Sequence, residues 1–270
     1  MKTSFGLDLA GYSKCKSALA RATISKDGPP TVAILTRSVF AQKVDGKNRL
    51  PGHVAGEIEC LRTVLNEGSL FIDVPIDLRG LLSPRNPQFV WQLTKRPVDQ
   101  AFGGLPPLAD RLGACVARMQ NLRKRLLTNG QGNLLEHGLF ETYPAGSLKL
   151  AGKNHGGYKG GRARYSQEHR WQPSREGNDR DSALAALLNN LQWTADGEID
   201  GFTDDEFDAA LCALTGFDHR LCGEDLREEI NRRLAESGYG NGYSAPRGYV
   251  LLKEIPPDVS LCRRRWAELE

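Results

Sequence analysis

The stretch TSFGLDLAGYS, residues 3–13, reads as a short apolar β-strand with one acid, Asp8, just before its end, where the chain breaks into Gly11, Tyr12 and Ser13. An apolar strand ordinarily avoids a carboxylate, because burying one without a partner costs several kcal/mol or forces its protonation. Two further strands are expected at 17–25 (SALARATIS) and 31–36 (TVAILT), with Asp27-Gly28-Pro29-Pro30 as the turn between them. Three consecutive strands with short connections form an antiparallel meander.

Outward from this meander the pattern changes period. Val54, Ile58, Leu61 and Leu65 recur at helical spacing before Gly68. SLFIDVPI, 69–76, is then a strand ended by Pro75. Leu108, Leu112, Cys115, Met119, Leu122 and Leu126 form the apolar stripe of a long helix, and GLFETY, 138–143, is a fifth strand ended by Pro144. Helices follow at about 180–192, 204–215 and 224–236, and GYVLLKEI, 248–255, is expected to be a closing strand. The fold class is therefore α/β, with a mixed five-stranded sheet, three antiparallel strands then parallel ones, flanked by helices. One domain spanning 1–270 is expected, with insertions at about 83–107, rich in Pro and Gly, and 150–180, a basic, Gly-rich stretch read as a loop.

Composition excludes little. The chain has 270 residues, 40% of them apolar, and 36 Lys and Arg against 33 Asp and Glu leave a net charge of only +3, too little to imply a nucleic-acid partner by itself. No apolar run is long enough for a signal peptide or a membrane span, which predicts a cytoplasmic protein without a membrane partner. The six cysteines show no CxxC pair and are expected to be reduced packing residues.

Four acids stand where acids are unexpected: Asp8 in GLDLAG, Asp73 in FIDVP, Glu141 in FETYP and Asp208 in DDEFDAALCAL. Hard cations such as Mg²⁺ or Mn²⁺ take oxygen ligands, and carboxylates from distant positions can hold two of them for phosphodiester cleavage. Asp205 and Asp208, three apart, share one helix face. Thr203 and Glu206 fit a capping box, the plainer reading of that acidic turn. Asp8 and Asp73 have plain readings as loop-capping acids, and Glu141 as the partner of a base such as Arg96. Lys149, Lys153, Lys159, Arg162 and Arg164 in the basic stretch are candidate phosphate contacts, and Gly11 is a place where a phosphate backbone can approach.

GLDLAG, FIDVPIDL, KRPVDQAFGGLPP, FETYPAGSLKLAG, DEFDAALCALTG and RGYVLLKEIP, in this order, resemble the domain of unknown function 429 family, predicted nucleases with a ribonuclease H-like fold. ETYPAGSLKLAGKNHGGYKGG is similar, more distantly, to the fifth-strand region of RuvC-type Holliday-junction resolvases, and DDEFDAALCAL to their terminal acidic helix. The resemblance implies a ribonuclease H-like fold and a metal-dependent nuclease acting on DNA or RNA. Asp8, Asp73, Asp205 and Asp208 would be its metal ligands, and Glu141 an additional catalytic acid. Asp73 departs from the resolvases, which use a glutamate there. Two alternatives stay open: a nucleotide-binding protein of the actin and sugar-kinase superfamily, for which no second phosphate-binding hairpin is seen, and a non-catalytic nucleic-acid-binding module with the same fold.

Overall fold

The computed structural model describes residues 2–9, 17–25, 28–35, 43–44, 48–49, 54–78, 81, 88–107, 112–128, 130, 132, 136, 138–153, 156–217 and 220–265. The opening meander forms as expected, as β1 (Lys2–Asp8), β2 (Ala18–Ile24) and β3 (Thr31–Leu35), paired antiparallel from Lys2↔Ile24 to Asp8↔Ala18 and from Ala20↔Ile34 to Thr23↔Thr31. Two two-residue strands paired antiparallel, β4 (Lys43–Val44) and β5 (Asn48–Arg49), precede helix α1 (Val54–Glu67). Strand β6 (Ser69–Ile72) then lies parallel to β1 on its other side, and β7 (Leu139–Glu141) parallel to β6.

Among the described residues the sheet has seven strands, not five. Beyond β3 it is extended by β14 (Ser260–Arg264) and β10 (Thr194–Ala195), both parallel additions, giving the order β10-β14-β3-β2-β1-β6-β7. Of the expected closing strand at 248–255, Tyr249 makes an isolated parallel bridge to Glu141 of β7, and Leu251–Leu252 form β13, which pairs with β12 (Arg220–Leu221) outside the main sheet. The place beside β3 is taken by β14, whose Arg263 and Arg264 hide it from an apolar-run reading.

The two faces of the sheet are covered differently. Leu7, Leu70, Ile72 and Leu139 pack with α1 and with α3 (Gly113–Thr128) through Leu61, Val64, Met119 and Leu122. The opposite face receives α6 (Asp204–Leu214), whose Ala209, Ala210 and Ala213 let it lie close to β1 and β2. At Gly6 the approach is so tight that a Cβ would sit 2.0 Å from the Ala209 carbonyl oxygen and 2.2 Å from the Ala213 nitrogen. Below it Ser4 Oγ donates to the Ala213 carbonyl at 2.6 Å.

The basic stretch expected as a loop contains regular structure. Helix α4 (Pro144–Leu150) follows β7, and β8 (Arg162–Tyr165) and β9 (Trp171–Pro173) join β11 (Ile199–Thr203) in a three-stranded antiparallel sheet. Arg162 and Arg164 are exposed while Ala163 and Tyr165 are buried, the alternation of a half-buried strand. Helix α5 (Asp179–Asn190) packs on this sheet through Leu184 and Leu188. Within 83–107, α2 (Pro97–Phe102) forms and packs against α7 (Gly223–Glu236), with Val98, Phe102, Leu226 and Ile230 in one cluster. Among the described residues no helix is long and apolar enough to cross a membrane. Cys60, Cys115, Cys212 and Cys262 are free and buried, and Cys222 is free and exposed.

Candidate metal centre

Register and alternation decide which acids meet. Residues matched across a parallel ladder point to the same face, and neighbours along a strand to opposite faces. Leu7 is matched to Ile72, and Ile72 to Glu141, all on the face of α1 and α3. Asp8 therefore points with Gly6 toward α6, and Asp73, one residue beyond Ile72 with its N–H on the Leu7 carbonyl at 3.0 Å, continues the same parity.

Asp208 comes to meet them from the second turn of α6. Thr203 and Glu206 form the expected capping box, with the Thr203 N–H donating to Glu206 at 2.8 Å and the Glu206 N–H to Thr203 Oγ1 at 3.2 Å. This fixes the helix start, and Asp204 accepts from the Gly160 N–H at 2.8 Å, tying the helix to the turn before β8. Asp208 has no exposed surface, whereas Asp8, Asp73 and Asp205 keep some.

The three acids lie within electrostatic reach of one another. The Asp8 carboxyl is pushed well above its ordinary range, first by burial and then by the charges of Asp208 and Asp73, with Asp205 adding to them. Burial also raises Asp73, to about 7, with Asp208 and Glu141 adding and Lys159 opposing. Burial raises Asp208 against the counteracting Lys159 and the Tyr158 hydroxyl. The Cys212 thiol, buried beneath, is pushed up by burial and then by Asp73, Asp8 and Asp208 together.

Two residues complete the cluster that the sequence reading assigned otherwise or passed over. Tyr158 Oη donates to Asp208 Oδ1 at 2.8 Å, and the Lys159 ammonium pairs with Asp208 Oδ2. Lys159, expected at a phosphate, is thus engaged with an acid of the cluster. Its side chain remains half exposed, so it reaches the site from the solvent side. Tyr158 gave no signal beyond its place in the GGYKGG turn.

Glu141, expected among the catalytic acids, is turned to the other face. Arg96 NH2 donates to Glu141 Oε1 at 2.6 Å and NH1 to Oε2 at 2.9 Å, while the Ile76 N–H donates to Oε2 at 2.8 Å. Asp99 grips the same guanidinium, from Nε at 2.9 Å and NH2 at 2.7 Å. The pairing with Arg96 is thus the arrangement found. Of the candidate phosphate contacts, Lys149 Nζ donates to the Phe102 carbonyl at 3.1 Å, Lys153 is half-buried, and Arg162 and Arg164 are exposed on β8. Gly11 lies outside the described residues.

The donor chemistry of Asp8, Asp73 and Asp208 suits a hard divalent cation, being all oxygen and anionic. Among the described residues, no three His, Cys, Asp or Glu are gathered to hold a metal ion as they stand. The positive charge in the cluster is supplied by Lys159.

No family model matches the chain, and no curated protein does. Among solved structures, that of Thermus thermophilus RuvC is similar over 88% of this chain and 98% of its own, at 9% identity and a TM-score of 0.30.

Proposed function

We propose that the chain is a Mg²⁺- or Mn²⁺-dependent phosphodiester hydrolase with a ribonuclease H-like fold, acting on nucleic acid. The reading is supported by the mutual charge effects of Asp8, Asp73 and Asp208, which come from three separate elements, with Asp208 fully buried and Asp8 and Asp73 partly so. The three carboxylates disfavour one another's ionisation with Lys159 as their counter-charge, and a divalent cation can take the place of the protons they hold. A bound cation supplies Lewis acidity and a water of lowered pKa.

In this reading Asp8, Asp73 and Asp208 hold the metal, with Asp205 on the neighbouring helix turn completing the shell. With a cation held by these acids, Lys159 would be free to leave Asp208 for the solvent side. Its flexible stem carries the ammonium from the carboxylate to a substrate phosphate. Tyr158 keeps Asp208 oriented through Oδ1. Arg162 and Arg164, aligned on the exposed face of β8, bind the phosphate backbone on the approach to the site.

The test is cleavage of DNA, RNA and a branched duplex by the purified chain with Mn²⁺, beside Asp8→Asn. We expect cleavage of at least one substrate and a loss of about 100-fold or more in the variant. Equal, metal-independent traces of activity in both proteins would overturn the reading, and Mn²⁺ binding without cleavage would favour a non-catalytic binding module.

A further inference from the structure

We propose that Arg96 and Glu141 form a positioning clamp that sets the direction of Asp73, so that metal affinity at the acidic cluster depends on an ion pair on the opposite face of the sheet. The inference rests on the metal reading of Asp8, Asp73 and Asp208.

The link is the segment from Asp73 to Asp77. At its start the Asp73 N–H is fixed on the Leu7 carbonyl at 3.0 Å. At its end three bonds converge. The Ile76 N–H donates to Glu141 Oε2 at 2.8 Å, the Ile76 carbonyl accepts from Gln120 Nε2 at 2.8 Å, and the Asp77 carbonyl accepts from Arg96 NH1 at 3.1 Å. Only Val74 and Pro75 lie between the fixed ends, both buried, and the proline ring removes one of the remaining backbone rotations. A segment this short with both ends tied holds the direction of the Asp73 Cα–Cβ bond, from which its carboxylate is aimed.

The clamp is itself held rigidly. Five hydrogen bonds use all five N–H groups of the Arg96 guanidinium: one to Asp77, two to Asp99 and two to Glu141. The Arg96 backbone N–H also donates to Asp99 Oδ2 at 2.9 Å, so the guanidinium and the start of α2 are fixed by the same carboxylate. Arg96, Asp99 and Glu141 are all buried. A lysine at 96 can neutralise one carboxylate but cannot grip two carboxylates and a carbonyl in a single plane.

Isothermal titration of the full chain with Mn²⁺, comparing wild type, Arg96→Lys and Glu141→Gln, tests the clamp. Partners that orient a metal ligand change affinity by about 10- to 100-fold when replaced, and a weakening of that order is expected in both variants. Excess Mn²⁺ should restore kcat in Arg96→Lys and fail to do so in Asp73→Asn. A residue that served stability alone would lower the Tm and speed amide exchange at Ile76 while leaving the Mn²⁺ Kd within twofold of wild type, and that outcome overturns the proposal. Should both variants fail to fold, Gln120→Met removes only the tether on the Ile76 carbonyl. A weaker but measurable rise in Kd supports the clamp there, and an unchanged Kd overturns it. Absence of Mn²⁺ binding by the wild-type chain is a separate result: it removes the metal reading, and the clamp's role with it.

Discussion

Two clusters of buried charge lie on opposite faces of the same sheet, and they are built on opposite principles. The Asp99–Arg96–Glu141 cluster uses every donor of its guanidinium and closes on backbone groups of Ile76 and Asp77. The Asp8–Asp73–Asp208 cluster gathers three acids around one lysine whose side chain is half exposed. A satisfied ionic network resists change, whereas an under-neutralised one has capacity left for a ligand. Charge burial alone does not mark a site; the shortfall of compensation does.

The largest expected effect breaks the first cluster. Arg96→Ala leaves Glu141 and Asp99 buried without their counter-ion and should cost about 3–5 kcal/mol, read as a fall in the urea midpoint. A loss under 1 kcal/mol would mean that the two acids take up protons or water without penalty, and the contrast between the clusters would weaken.

Next comes the spacing between strand and helix. Gly6→Ala drives a methyl into the backbone of α6 at Ala209 and Ala213, and should cost about 1–3 kcal/mol or more while moving Asp208 away from Asp8. Calorimetry should then show weakened Mn²⁺ binding as well as a lower Tm. Unaltered stability would show that the helix rides over β1 more loosely than these distances say.

The smallest effect has the opposite sign. Asp8→Asn removes a carboxylate that burial and its neighbours disfavour, and should stabilise the metal-free chain by about 1–2 kcal/mol while abolishing Mn²⁺ binding. The same logic fixes the pH dependence. Asp73 ionises near 7 in the folded chain and near 3.8 otherwise, so the unfolded state releases its proton first as pH rises. Without metal, stability due to this group should fall between about pH 4 and 7, and Asp73→Asn should flatten that part of the Tm profile. A Tm that climbs through this window in the wild type and is unchanged in the variant would argue against crowding of the acids.

Much of this architecture is legible in the sequence, because it follows from local signals. The meander, α1, α3 and the capped α6 come from period and punctuation, and the elements found lie within a few residues of those expected. Asp8, Asp73 and Asp208 stand out because each interrupts an apolar or small-residue run. The assignment of Glu141 with them goes astray for a reason of register. Whether an acid at a strand end faces one helix layer or the other depends on which residue of the neighbouring strand it pairs with, and Ile72↔Glu141 is a tertiary fact. The strand RARY at 162–165 alternates correctly, but the glycines around it read as loop. Lys159 was visible only as one of several bases; its partner is contributed by a helix 49 positions later.

The strand β14 carries a consequence for how the molecule is made. Its partner β3 is among the first segments of the chain, yet Ser260 pairs with Thr31 and Arg264 with Leu35 across more than two hundred intervening residues. On the ribosome, the first hairpins can close early, but the outer backbone of β3 waits without its final neighbour until nearly all the described chain has emerged. Such a late, non-local parallel pairing is slow to form, and it exposes an unpaired edge that other chains can capture in the meantime. Shortening the product before residue 260 should therefore leave the acidic cluster's own strands in place and convert the opposite edge of the sheet into an aggregation hazard.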